Sequence, residues 1–152
     1  MKQKLNSYKN TAVNWAKSQA QIGKLLDKVG IKDVRFTFMQ SQQSVICEFN
    51  YPTEVDKKAV NIGVRIIVRL PDYSDEDKAK NQCHRALFYY LKSKFEALDF
   101  GLVEFVQEFM PHLIVYDKKG NTSTLYQTIA PQYNKGLLTG EQKEITMIED
   151  KR

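Results

Sequence analysis

The chain has 152 residues, 42% of them hydrophobic and 27% charged, with a formal net charge of +5 and a pI near 9.1. That length and balance belong to one globular domain able to bury a core without metal or disulfide staples, and the positive charge favours anionic partners through long-range attraction. No apolar run approaches the roughly 20 residues of a membrane span, and the opening stretch MKQKLNSYKNTAVNW lacks the apolar segment of a signal peptide. No membrane partner and a cytoplasmic site of action are therefore expected.

Residues 1 to 9 are polar and read as frayed. Asn10 or Thr11 then caps a predicted helix running to Val29, with Gly30 as its left-handed terminator. Its buried stripe is Trp15, Ile22, Leu26 and Val29; Lys17, Gln21, Lys24 and Lys28 fall on the other side. A first strand follows, with Val34, Phe36 and Phe38 inward and Arg35 and Thr37 outward. The turn Gln40 to Ser44 leads to a second, with Val45, Cys47, Phe49 and Tyr51 inward and Glu48 and Asn50 outward. Pro52 and the loop TEVDKKA lead to a third, Val60 to Leu70, which alternates throughout. Val60, Ile62, Val64, Ile66, Val68 and Leu70 share one side, and Asn61, Gly63, Arg65, Ile67 and Arg69 the other.

Short connections make an antiparallel meander the economical pairing. Pro71 ends the third strand, and Asp72, Ser74 or Asp75 caps a long helix to about Phe100. Its expected buried stripe is Cys83, Ala86, Leu87, Tyr90, Leu91, Ala97 and Leu98. Gly101 breaks it, Leu102, Phe105, Val106 and Phe109 form a short helix before Pro111, and His112 to Tyr116 read as a fourth strand ended by a turn at Asp117 to Asn121. Thr122 or Ser123 caps a last helix interrupted near Pro131. The fold expected is a single α+β domain over residues 1–139, in the order α-β-β-β-α-α-β-α. Its three- to four-stranded, mainly antiparallel sheet has helices on one face, and residues 140–152 form a polar, flexible tail.

The best functional hint is cationic. Arg65 and Arg69 stand about 13 Å apart on one strand face, close to two phosphate steps of a nucleic-acid strand, and Arg35 joins them if the strands pair as proposed. Arginines on a twisted sheet contact phosphates in sheet-platform binders, although this face also carries Glu48 and lacks exposed stacking aromatics. The alternative is a solvated face with cross-strand Arg–Glu pairs, or one covered by the C-terminal segment. A second cationic stripe runs along the long helix through Lys78, Arg85 and Lys92, with Tyr89 between the last two, so that a ring and two cations could meet one nucleotide.

Catalytic constellations are thin. Glu104, Glu108 and His112 recur at four-residue steps, but Pro111 ends the helix before His112 enters it, so no metal site is expected. Cys83 and His84 are helix neighbours pointing about 100° apart, unsuited to a nucleophile–base pair. Cys47 and Cys83 read as reduced, partly buried thiols. The element order matches a PD-(D/E)xK nuclease core, and Asp33 with Glu48-Phe49-Asn50 comes closest to its motif, but the lysine position is Asn50. No glycine cluster cradles a phosphate, and no cofactor is implied.

Arg85-Ala86-Leu87, Lys92-Ser93-Lys94-Phe95-Glu96-Ala97, Gly101, Glu108-Phe109 and Asp117-Lys118-Lys119-Gly120-Asn121-Thr122 form a pattern that resembles small proteins of phages and mobile elements, over the C-terminal half of the chain. The resemblance brings no catalytic or binding residue with it. It implies a phage-like product acting in a bacterial cytoplasm, in DNA replication, recombination or host interference, or a virion part. The reading preferred from the sequence is a non-enzymatic nucleic-acid-associated protein using Arg35, Arg65, Arg69, Arg85, Tyr89 and Lys92. Second is a protein-interaction module, a virion component or inhibitor of a host factor, assembling through apolar surface at Leu102 to Met110, with homo-oligomerisation left open. A nuclease is third.

Overall fold

A three-stranded antiparallel sheet, with two long helices laid over one of its faces, organises the chain. The structure is a computed structural model and describes residues 6–134; the expected tail at 140–152 lies outside the described residues. Helix α1 (Trp15–Lys28) starts three or four residues later than expected, because Asn14 is its cap and accepts the Ala16 N–H at 2.8 Å. The segment before it is not frayed over residues 6–9. It turns back onto the long helix, where the Tyr8 ring stacks on Tyr89 at 5.3 Å and Gln82 donates to the Ser7 carbonyl at 2.7 Å.

The sheet runs β1 (Val34–Met39), β2 (Ser44–Val55) and β3 (Lys58–Arg69) in that spatial order, with both pairings antiparallel. Cross-strand register aligns Arg35 with Glu48 and Glu48 with Arg65. The expected loop TEVDKKA is instead the tip of a long hairpin: Asp56 and Lys57 both take positive φ, 51° and 62°, in a two-residue turn that matches strand twist. Pro52 is tolerated within β2 because β1 stops pairing at Phe49, so β2 is an edge strand beyond that point.

Helix α2 (Glu76–Phe100) is capped by Asp75, which accepts the Lys78 N–H at 3.2 Å, and ends on Gly101 at φ 81°. Its period leaves one stripe for the sheet and another for α1, so its buried set is wider than the expected one. Ala79, His84, Arg85, Lys94 and Phe95 are buried too, whereas Tyr90 is exposed. Ile22 and Leu26 of α1, Cys47, Phe49, Val64 and Ile66 of the sheet, and Leu87, Leu91 and Phe95 of α2 form one core. Burial of such side chains at roughly 1.5–3 kcal/mol each is the main force holding the helices to the sheet.

Helix α3 (Phe105–Phe109) sends Phe105 and Phe109 into the same core. The expected fourth strand does not extend the main sheet. β4 (Ile114–Tyr116) pairs with β5 (Thr122–Thr124) in a separate two-stranded sheet, tied to β3 by one bridge between Val64 and Leu113. Gly63 permits this approach, since a Cβ there would lie 3.0 Å from Ile114 Cδ1. Thr122 and Ser123 are therefore strand residues, and the cap of α4 (Leu125–Asn134) is Thr124. Its hydroxyl accepts from the Gln127 N–H while the Gln127 side chain accepts from the Thr124 N–H, a reciprocal capping box.

Candidate functional site

The outward face of the sheet holds the cations expected there, but they are engaged. Glu48 sits between Arg35 and Arg65: one carboxylate oxygen accepts from Arg35 at 2.8 Å and 3.1 Å, the other from Arg65 Nε at 2.9 Å. Burial raises the Glu48 pKa, yet the hydrogen bonds and charges of the two arginines outweigh it and hold the carboxyl below its ordinary value. Arg65 also donates to the Thr122 hydroxyl at 3.2 Å, which ties the β4–β5 hairpin to this face. The triad has a net charge of one, and register makes it: three residues directly opposite one another on neighbouring strands. Arg69, at the end of β3, is exposed and stands apart from it.

The helix stripe is dismantled more thoroughly. Arg85 is 6% exposed, its guanidinium resting on the Phe88 and Tyr89 rings at 4.3 Å and 5.0 Å. Tyr89 gives one ring face to Tyr8. Lys92 lies 3.5 Å from Glu96. Two of these contacts are made within α2 itself, and the third comes from the returning N-terminal segment, which lays Tyr8 on Tyr89 and leaves that ring partly exposed. Thus the structure brings Arg35 and Arg65 together, and separately Arg85 and Tyr89, but not the six as one surface.

The residues of the catalytic readings have other employment. Lys94, buried on α2, donates to the Glu108 carboxylate at 2.9 Å and its carbonyl at 3.1 Å, with its ammonium 4.4 Å from the Tyr90 ring centre. Next to it the Tyr90 hydroxyl and His112 Nε2 are 2.7 Å apart. Burial, and then the Lys94 charge, lower the His112 pKa. Among the described residues no three His, Cys, Asp or Glu side chains could hold a metal ion. Sequence spacing caught Glu108 and His112 but not Lys94 and Tyr90, the groups that occupy them. Asp33 and Glu48 do line a common cavity of about 290 Å³ with Arg35, Asn50 and Ile114, without the lysine of the nuclease motif. Cys83 donates its thiol to the Arg69 carbonyl, while His84 Nδ1 donates to the Lys80 carbonyl at 2.7 Å, so the two do not address each other. Burial pushes the Cys83 thiol to about 11, and burial with the nearby Glu48 charge pushes Cys47 to about 12. Neither is a thiolate at neutral pH.

Two surfaces remain open. On α1, Lys17, Lys24 and Lys28 are exposed along one stripe and form no ion pair among the described residues; Asp27, the helix's one acidic residue, is taken by Lys32. At the other end of α2 lies an apolar ridge: Phe100 is 81% exposed, Leu102 68%, Val106 43% and Met110 45%. Leu102 precedes α3, Val106 lies within it and Met110 follows it, and all three stay exposed while Phe105 and Phe109 of the same segment are buried. Asp99 and Glu104 give it an acidic rim. No helix among the described residues is long and apolar enough to cross a membrane.

No protein family model, curated protein or solved structure matches this chain.

Proposed function

We propose that the protein is a non-enzymatic protein-interaction module that docks a partner on the ridge Phe100, Leu102, Val106 and Met110. The observation that carries this reading is the exposure of four large apolar side chains in one short segment whose other face is anchored in the core. Scattered apolar residues are normal on a surface, but a contiguous, rigidly backed set rimmed by charge is characteristic of association sites. The partner surface it fits is apolar at its centre and basic at its edge, complementing Asp99 and Glu104. The engaged state of the sheet arginines supports the same choice, since a face whose two central cations already hold a carboxylate has little charge left for phosphates.

A photo-crosslinking residue placed at Val106 in cells, with the same residue at Lys24 as control, tests this. A discrete adduct from position 106 alone is expected. No adduct, or the same products from both positions, refutes the ridge.

A second reading, association with nucleic acid, rests on the exposed stripe Lys17, Lys24 and Lys28, which forms no ion pair among the described residues. Three neutralised phosphates correspond to a log–log salt slope of about −2.7 on duplex DNA. Titration of labelled duplex and single strands across a salt series checks it, and absence of binding at low salt removes it.

A further inference from the structure

Toward the opposite end of α2 from the ridge, where Lys80 and His84 lie roughly 24–30 Å from Phe100 along the helix axis, a cavity of about 260 Å³ lies under the edge of the sheet. Its walls include the rings of Trp15, Phe36 and Phe38 and the side chains of Gln19, Lys80 and His84. Thr37 also lines it, although its side chain belongs to the other face of β1, so the cavity reaches the strand's border. That border is open: β1 pairs with β2 on one side and with no strand on the other among the described residues.

We infer that the free edge of β1 and this cavity together capture an extended peptide segment of a partner, which adds a strand to the sheet and seats one aromatic or large aliphatic side chain among Trp15, Phe36 and Phe38. This surface is separate from the ridge and stands or falls without it. An exposed strand edge presents a row of N–H and C=O groups that an extended chain satisfies, and an adjoining pocket then selects one of its alternate side chains. The volume is below the 300–1,000 Å³ range common for drug-sized ligands and suits a single side chain.

The polar groups at the rim point to a peptide over a polyanion. Lys80 is occupied: its ammonium lies 3.0 Å from Glu76, 4.0 Å from the Phe38 ring centre and 5.9 Å from that of Trp15. Asp75 and Asp77 open α2 just beside it and are exposed. They repel phosphates and attract a lysine or arginine that flanks the seated side chain. His84 is fully used, donating from Nδ1 to the Lys80 carbonyl and accepting from the Gln19 amide at Nε2, 3.0 Å away. Gln19 keeps its carbonyl oxygen and second N–H for a peptide group.

Trp15 is the chain's one tryptophan and therefore reports on occupancy by fluorescence. The probes are ten-residue soluble peptides of extended preference with a central Phe and Lys flanks, a copy with Glu flanks, and a copy N-methylated at alternate residues. The Lys-flanked peptide is expected to shift Trp15 emission saturably, the Glu-flanked one at least tenfold more weakly, and N-methylation of the edge-facing amides to abolish the shift. Phe38→Leu, which keeps an apolar side chain but removes the ring, is expected to weaken binding several-fold, whereas Val106→Lys leaves it unchanged. No saturable shift up to about 1 mM peptide, or binding indifferent to N-methylation on either register, overturns the inference. So does an oligonucleotide that moves Trp15 emission where the peptides do not, or a concentration-dependent Trp15 spectrum without peptide, which would assign the edge to a second copy of this chain.

Discussion

Replacing Glu48 by Gln tests how the sheet's outward face is held together. Arg65 and Glu48 are 20% and 13% exposed at the side chain and 2.9 Å apart, so their charge-assisted hydrogen bond falls in the partly buried class worth about 1.5–3 kcal/mol. Arg35 is 72% exposed, and solvent screening reduces its share to about 0.2–1 kcal/mol. Glutamine keeps one acceptor oxygen and the shape but not the charge, so Glu48→Gln is expected to lose roughly 1.5–2.5 kcal/mol at pH 7. For a chain of this size that is a melting-point drop of about 3–10 °C, and the urea midpoint should fall without a change of slope.

The pH dependence gives the sharper check. The folded-state pKa of Glu48 is depressed from its ordinary 4.5. The unfolded state therefore binds the proton first as pH falls, and the carboxylate's stabilisation is complete above that ordinary value and lost through the lowered one. Wild type and Glu48→Gln should differ fully at pH 7 and converge in acid below the usual carboxylate range. Equal stability at pH 7, or a gap that persists in acid, would falsify the clamp as an energetic element and return both arginines to the pool of free cations.

Other expectations concern the second polar cluster and the hairpin. Glu108→Gln leaves the Lys94 ammonium buried with only uncharged oxygen partners and should destabilise by about 1–3 kcal/mol. Pairing it with Lys94→Met should recover part of that loss, and strictly additive denaturation midpoints would contradict the coupling. His84 and His112 both have lowered pKa values, chiefly through burial. The unfolded chain therefore takes up protons first, and stability should decline as pH drops from neutrality through 6.5 and below. His112→Gln should flatten part of that decline in urea melts at pH 7.5 and 5.5, and an unaltered pH profile would count against it. Gly63→Ala drives a Cβ to 3.0 Å from Ile114; about 1 kcal/mol of destabilisation and faster amide exchange in β4 and β5 should result. Both should be relieved by Ile114→Ala, and no relief would mean that the contact is not the cause.

Local chemistry already legible in the chain accounts for much of the fold. Alternation from Val60 to Leu70 marks β3 and its buried face because side chains on a strand repeat every two residues. Asp75 and Gly101 bound α2 because a carboxylate satisfies free helix N–H groups and glycine alone adopts φ 81° without strain. The Arg–Glu alternative for the sheet face was readable too, since short connections make opposite neighbours predictable.

Tertiary structure decided what those residues are free to do. Arg85 and Tyr89 read as one open cationic-aromatic stripe in an isolated helix; in the fold Arg85 is buried against the Phe88 and Tyr89 rings, and Tyr89, though still 44% exposed, gives one ring face to Tyr8. The apolar surface expected at Leu102 to Met110 acquires its bounds only from packing: Phe105 and Phe109 enter the core, and Leu102, Val106 and Met110 stay exposed. The cavity beside Trp15 draws on α1, β1, β2 and α2 at once. Periodicity describes which side of an element is apolar; which other element arrives to cover it, and which side is left uncovered, is a long-range outcome of packing.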